Sequence, residues 1–374
     1  MSQTMPLSLA RIVTASLLLL IAHVAQSQEP ASVSDETNGA QVLFSGHSLI
    51  DNPLPEWVEL IARSQGKKIA WEEQIVIGSP VRVRTRGDNS QSSGWDGYRY
   101  GKNRNSDGMN IIEELRNPTH IRTRQPYDTL VLAEINGSLS AVIWENSIGY
   151  LRHFHDRLLD GNLQGRTLYV HTWMPIENAH VPAWVEHEKG ASTVWQCVVE
   201  KVKLTLQAED RPARLSIVPA GLALAVLVEK AIEGKLETIR GTTQQKLDEI
   251  FRDNVHLTDP GIYFIAAVHY SAIYRQSPEG AAAPPTVPGA LAKELQAVAW
   301  EVTRDFMKKA TAQPLTMPEC RRVIVERVCQ TYWSLNKAHS EINRCQSFFA
   351  QSHANAEGSP FVWPDPNWTP LPKP

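Results

Sequence analysis

Four cysteines in 374 residues are too few to build a disulfide scaffold. The chain must fold around an ordinary apolar core that at most two bridges can support. A basic excess is missing as well, with 37 Lys and Arg against 40 Asp and Glu. Without surplus positive charge to neutralise phosphates, nucleic acid is not an expected partner. Long apolar runs are scarce. Ile12–Val24 is shorter than the ~20 residues a membrane-spanning helix needs, and no integral span is expected. A composition of 42% hydrophobic and 21% charged residues excludes a disordered or fibrous chain. No internal repeat is visible. His153, His155, His171, His180 and His187 have no recognised ligand spacing such as HExxH, so no metal site is expected.

The apolar run has a simpler explanation. Arg11 is the only charge ahead of it, and Ala25-Gln26-Ser27 closes it with the small-x-small pattern of a signal-peptidase site. Residues 1–27 are expected to be a cleaved export signal and residues 28–39 a polar linker, which makes the protein secreted or periplasmic. Loss of Arg11 changes the net charge from −3 to −4.

An alternation of short apolar runs and amphipathic segments follows. Strands are expected at Gln41–Phe44, Lys68–Ile77, Thr129–Ile135, Thr167–Trp173 and Arg214–Val218. Helices fall between them: Pro55–Arg63, Ile111–Leu115, Ser147–Leu159, a long one through Val194, Cys197, Val198, Val202 and Leu206, and Leu222–Ile232. Gly87–Gly108 is rich in Gly, Asn, Ser and Asp and reads as loop. Five strand–helix repeats with apolar runs buried on both faces predict a three-layer α/β/α sandwich with a parallel sheet. After Gly261 the pattern is helical only: Ile262–Tyr274, then Ala290–Lys309 with Leu291, Leu295, Val298, Val302 and Phe306 on one stripe, then Pro318–Phe349. The domain reading is a main domain at 40–277, a helical extension at 290–349 and a Pro-rich tail at 350–374, either disordered or laid along the surface.

Ligands of open parallel sheets lie at the carboxyl ends of the strands. The residues there are Gly46-His47-Ser48-Leu49 after the first strand, Gly78 after the second and Glu134-Ile135-Asn136-Gly137 after the third. Far downstream comes Asp253-Asn254-Val255-His256. A serine, a histidine and an aspartate supply the groups of acyl transfer. The imidazole takes the serine proton, and the carboxylate fixes its tautomer and stabilises the imidazolium. Two roles stay open for Ser48 on sequence alone, nucleophile or N-cap of the helix that follows. Asp253 and His256 are equally readable as an Asx turn and a surface histidine, and Asn136-Gly137 as a plain turn.

These segments resemble the motif blocks of the SGNH hydrolases, the GDSL-type esterases. Gly46-His47-Ser48-Leu49 is similar to the GDSL block, with His47 in place of the usual Asp, and Asp253-Asn254-Val255-His256 is similar to the DxxH block. Gly78 matches the glycine of the second block. The third, GxND, keeps Asn136 but has Glu134 and Gly137 where the family has Gly and Asp. The resemblance spans roughly Gln41 to Tyr274. It implies a flavodoxin-like fold and an exported serine ester hydrolase without cofactor. Ser48 would be the nucleophile, His256 the general base and Asp253 its orienting partner. The N–H of Ser48, Gly78 and Asn136 would form the oxyanion hole. Glu134 is expected to be a supporting hydrogen-bonding group. By analogy the substrate is an O-acetylated carbohydrate. An acyltransferase with the same triad, or a non-catalytic carbohydrate-binding relative, are the other readings. Trp173, Trp184 and Trp195, in or near the loop after the fourth strand, are open to sugar stacking or to a core role, the latter favoured for at least two. In an oxidising compartment a bridge from Cys345 to Cys320 or Cys329 is expected, with Cys197 a buried thiol.

Overall fold

The computed structural model describes residues 39–88, 94–353 and 358–374. The expected export signal, and all of the linker but Gly39, lie outside these residues. Five strands, β1 (Ala40–Gly46), β2 (Ile69–Ile75), β3 (Thr129–Ala133), β4 (Arg166–Val170) and β5 (Leu215–Val218), form one sheet in the order β2-β1-β3-β4-β5. All pairings are parallel. The alternation predicted the parallel sheet, and the order is the flavodoxin-like one that the resemblance implied.

A parallel sheet must be covered on both faces. Helices α1 (Leu54–Ser64), α2 (Val81–Arg86), α3 (Ile111–Arg116), α4 (Ser138–Trp144), α5 (Ser147–Gly161), α6 (Val181–Gln207), α7 (Ala220–Ile232), α8 (Thr243–Asp248), α9 (Asp259–Tyr274) and α10 (Gly289–Ala312) surround it, some on the sheet and some on the helices that cover it. α1 and α9 pack together on one side, and α5 and α6 on the other. The apolar stripe of α10 buries Leu291, Leu295, Val298 and Val302 against α9 and α7. No helix among the described residues is long and apolar enough to cross a membrane.

Three short helices have no counterpart in the sequence reading. In α2, Val81-Arg-Val-Arg-Thr-Arg86 alternates with the period of a strand, and α4 and α8 are each under two turns. Among its described residues, the segment read as loop holds one 3₁₀ turn, Asp96–Arg99.

The C-terminal extension continues with α11 (Met317–Val323), a π-helical turn at Ile324–Val328, α12 (Cys329–Leu335) and α13 (Ile342–Ala350). Its cysteines correct the expected pairing. Cys329 bonds Cys345, one of the two options foreseen, but Cys197 is no thiol: it bonds Cys320 and ties α11 to α6 across 123 residues. The 3.6-residue pattern placed Cys197 correctly inside its helix but could not reveal which later segment covers that face. The tail from residue 358 onward lies along the surface. Lys201 donates to Val362 O (2.5 Å) and to the Asp365 carboxylate (2.9 Å), with the Trp363 and Trp368 rings beside it.

Two bridges leave no free thiol, so thiol titration of the denatured, unreduced protein should find none of four; finding two would contradict this pairing. Replacing Cys197 and Cys320 by Ala should lower stability by about 2–5 kcal/mol, measured by urea unfolding.

Candidate active site

At the end of β1 the chain reverses, and the N–H of Ile50 donates to His47 O at 3.0 Å. Gly46 makes this possible: a Cβ there would lie 2.3 Å from Ile50 Cγ1 and 3.3 Å from Ala133 Cβ. The turn leaves Ser48 half-buried at the sheet's carboxyl edge. Ser48 caps no helix, because α1 starts only at Leu54 with Pro53 in the N-cap position. Its Oγ lies instead 3.0 Å from His256 Nε2.

His256 stands in a tight turn closed by Asp253. One carboxylate oxygen accepts the N–H groups of Val255 (2.8 Å) and His256 (2.7 Å), and the other meets His256 Nδ1 at 2.8 Å. So the Asx turn does form, and the same side chain also orients the imidazole. An ionised carboxylate only accepts, which puts the proton on Nδ1 and the Nε2 lone pair toward the Ser48 hydroxyl. Burial pushes the Asp253 pKa up. The backbone donors and the imidazole outweigh it and bring the pKa down to about 2.

A buried scaffold fixes the turn from behind. The indole of Trp173 donates to Val255 O at 2.8 Å, and the N–H of Ile176 donates to Asn254 O at 2.7 Å. Trp184 in turn donates to Met174 O at 2.8 Å. Trp173, Trp184 and Trp195 are all fully buried. All three are core residues, and none presents a face to a sugar.

The residues assigned to an oxyanion hole follow three neighbouring strands. The register pairs Gly46 with Ile75 across β1 and β2, and Ser45 with Leu132 across β1 and β3. Chain ends leaving these strands therefore emerge side by side. Gly78 is exposed, with φ +66° and nothing within 4 Å of where a Cβ would sit. Asn136 is half-buried just ahead of Gly137, whose φ of +105° turns the chain into α4. Among the described residues, the backbone N–H of Ser48, that of Gly78 and the carboxamide of Asn136 donate to no protein acceptor. All three remain available.

Below them lie three buried polar groups, His47, Arg84 and Glu134. His47 Nε2–H donates to Glu134 O at 2.9 Å; burial and the nearby Arg84 cation hold its pKa down to about 4, so it is neutral. The Glu134 carboxylate accepts from Val81 N–H (2.9 Å), Ile135 N–H (2.9 Å) and Ser147 Oγ (2.9 Å). It is thus a supporting group. The sequence reading did not single out Arg84. Charge in an alternating Val/Arg run signals solvent, and only the fold shows this guanidinium to be 0% exposed.

The other histidines are dispersed. His153 pairs with Tyr98, His155 with Thr167, His171 with Glu188, His180 with Glu177 and His187 with Thr331. Among the described residues no cluster of His, Cys, Asp and Glu could hold a metal ion.

No protein-family model matches the chain. No curated protein matches it either. Among solved structures it is similar to a DUF4886 family protein from Bacteroides uniformis ATCC 8492, with a TM-score of 0.48 and 14% identity over 71% of this chain and 95% of that one. At that level the likeness assigns neither chemistry nor ligand.

An activated serine should react with an electrophilic fluorophosphonate. We expect one label per chain, on Ser48, and none after Ser48→Ala or His256→Gln. Because Asp253 stays ionised down to about pH 2, and a protonated acceptor cannot take the serine proton, the labelling rate should fall in acid. Mass spectrometry after digestion reads both; label on another serine, or a pH-independent rate, would contradict the geometry.

Proposed function

We propose that the protein is a serine ester hydrolase of the SGNH type, acting through Ser48, His256 and Asp253. The observation that carries the reading is the unbroken relay from Ser48 Oγ to His256 (3.0 Å) to Asp253 (2.8 Å). It opens at the carboxyl end of the sheet, beside three unengaged donors.

In this reading Ser48 Oγ attacks the ester carbonyl carbon while its proton passes to His256 Nε2. Asp253 stabilises the imidazolium. The carbonyl oxygen becomes an oxyanion and accepts from the N–H of Ser48, the N–H of Gly78 and the carboxamide of Asn136. Collapse breaks the bond to the leaving alkoxide, which takes the proton from Nε2. Water then enters by the same steps in reverse, giving the acid and free Ser48. None of these steps calls for a cofactor.

The tryptophans after β4 no longer support a carbohydrate substrate, being buried. Trp144 supports it instead. It is 63% exposed, rests edge-on against Trp333 with ring centroids 6.3 Å apart, and ends the helix that begins two residues after Asn136. Transfer to a sugar hydroxyl would use the same acyl-serine.

With a short-chain aryl ester, Ser48→Ala should lose on the order of 10⁴-fold or more in kcat while keeping wild-type circular dichroism. Asn136→Ala should lower kcat by about 10²–10³-fold with little change in KM, as expected for a donor used only in the transition state. Trp173→Phe, which leaves Val255 O without its buried donor, should lower kcat/KM roughly tenfold. A folded Ser48→Ala protein with near-wild-type turnover would end the proposal.

A further inference from the structure

We infer that Arg84 and Glu134 form a buried brace that sets the spacing of the oxyanion hole, and that both are positioning residues for the reaction. The inference rests on the ester-hydrolase reading and adds to it.

Arg84 lies in α2, six residues past Gly78, with its side chain wholly buried. Its guanidinium reaches three chain segments at once. Nη1 donates to Ser79 O (2.6 Å) and Ser79 Oγ (3.0 Å), Nε donates to Ser45 Oγ (3.1 Å), and Nη2 donates to Ala133 O. These acceptors stand on the turn that carries Gly78, at the end of β1 that leads to Ser48, and at the end of β3 that leads to Asn136. The Ser45 hydroxyl in turn donates to Gln74 Oε1 at 2.8 Å, which extends the tie to β2.

Glu134 closes the loop from the other side. Its carboxylate accepts the N–H of Val81, just past the Gly78 turn, and the N–H of Ile135, next to Asn136; its carbonyl accepts from His47, next to Ser48. Each of the three oxyanion donors therefore has an immediate chain neighbour bonded to this pair. Burial lowers the Arg84 pKa to about 10, with the Glu134 charge opposing the shift, so the guanidinium is cationic at neutral pH.

Stability alone is a poor reason for such a pair, because desolvating two ions cancels most of their attraction. Geometry is a better one. A planar fork with fixed donor directions holds three strand ends at set separations in a way that apolar packing does not. A transition state is sensitive to that spacing, since a displacement of about 1 Å in a catalytic group can cost about 10²-fold in rate. Neither Arg84 nor Glu134 bonds to Ser48 Oγ or to the His256 ring, so the serine–histidine relay should titrate as before when the brace is broken.

The test compares wild type with Arg84→Lys, Arg84→Met and the double variant Arg84→Met/Glu134→Gln. The double variant removes both charges and so avoids a lone buried carboxylate. Fluorophosphonate titration counts competent sites, and kcat and KM for a short-chain aryl ester are measured per titrated site across pH. We expect full labelling at completion, KM within about twofold, an unchanged pH midpoint and a kcat lowered about 10²-fold in the Met variants. Arg84→Lys, which keeps the charge but not the fork, should recover only part of the loss. It decides the matter if the Met variants do not fold. Wild-type kcat in a folded Arg84→Lys or double variant would overturn the brace and leave the esterase reading intact. A wild-type protein that neither hydrolyses the ester nor takes the label would remove that reading and the brace with it.

Discussion

β1 is hydrogen-bonded on both edges, to β2 and to β3, and the candidate site depends on that position. A central parallel strand has no free edge and no free face, and all of β1 but Gln41 is buried. Chemistry is left to the residues that follow it. Because β2 and β3 run the same way beside it, three chain segments leave the sheet at one place, carrying Ser48, Gly78 and Asn136. The interior just below could have been filled with apolar groups. It holds instead Arg84, Glu134 and His47, all hydrogen-bonded to the segment ends.

The fourth and fifth contributions come from further along the chain. The turn carrying Asp253 and His256 has little regular structure of its own, and Asp253 is half-exposed. Its geometry is imposed by short-range hydrogen bonds to one carboxylate and by Trp173 and Ile176 behind it. The C-terminal extension reaches the same end of the sheet. Stapled to α6 through Cys197–Cys320, it places Tyr332 so that a Cβ on Gly137 would meet its hydroxyl at 3.5 Å. The extension thus packs against the loop that supplies Asn136.

Much of this was legible in the residues. Five strands and their parallel arrangement follow from apolar runs alternating with amphipathic ones, since that pattern is a local consequence of burial on two faces. Ser48 was legible through a short motif at a strand end, and Asp253 and His256 through a second one between α8 and α9; the structure brings together all three, 208 residues apart at the extremes. What could not be read depends on contacts between distant segments. Cys197 looked like a helix thiol because nothing local names Cys320 as its neighbour. For Trp173, Trp184 and Trp195 a core role was favoured for at least two, and all three are buried, but the sequence could not say which, because a loop tryptophan and a core tryptophan share one letter. Arg84 was invisible for the same reason: an arginine among β-branched residues suggests an exposed face, and its burial is decided by four acceptors on three other segments.

The central claim is that Ser48 Oγ is the atom to which the acyl group is transferred. Mixing the protein with an activated acetyl ester, quenching in acid within the turnover time and mapping the peptides by mass spectrometry tests it directly. The account predicts an acetyl group on the peptide containing Ser48, released again when His256 is intact and the quench is delayed. Steady hydrolysis with no acylated Ser48, or acetyl held on a different side chain, would contradict it.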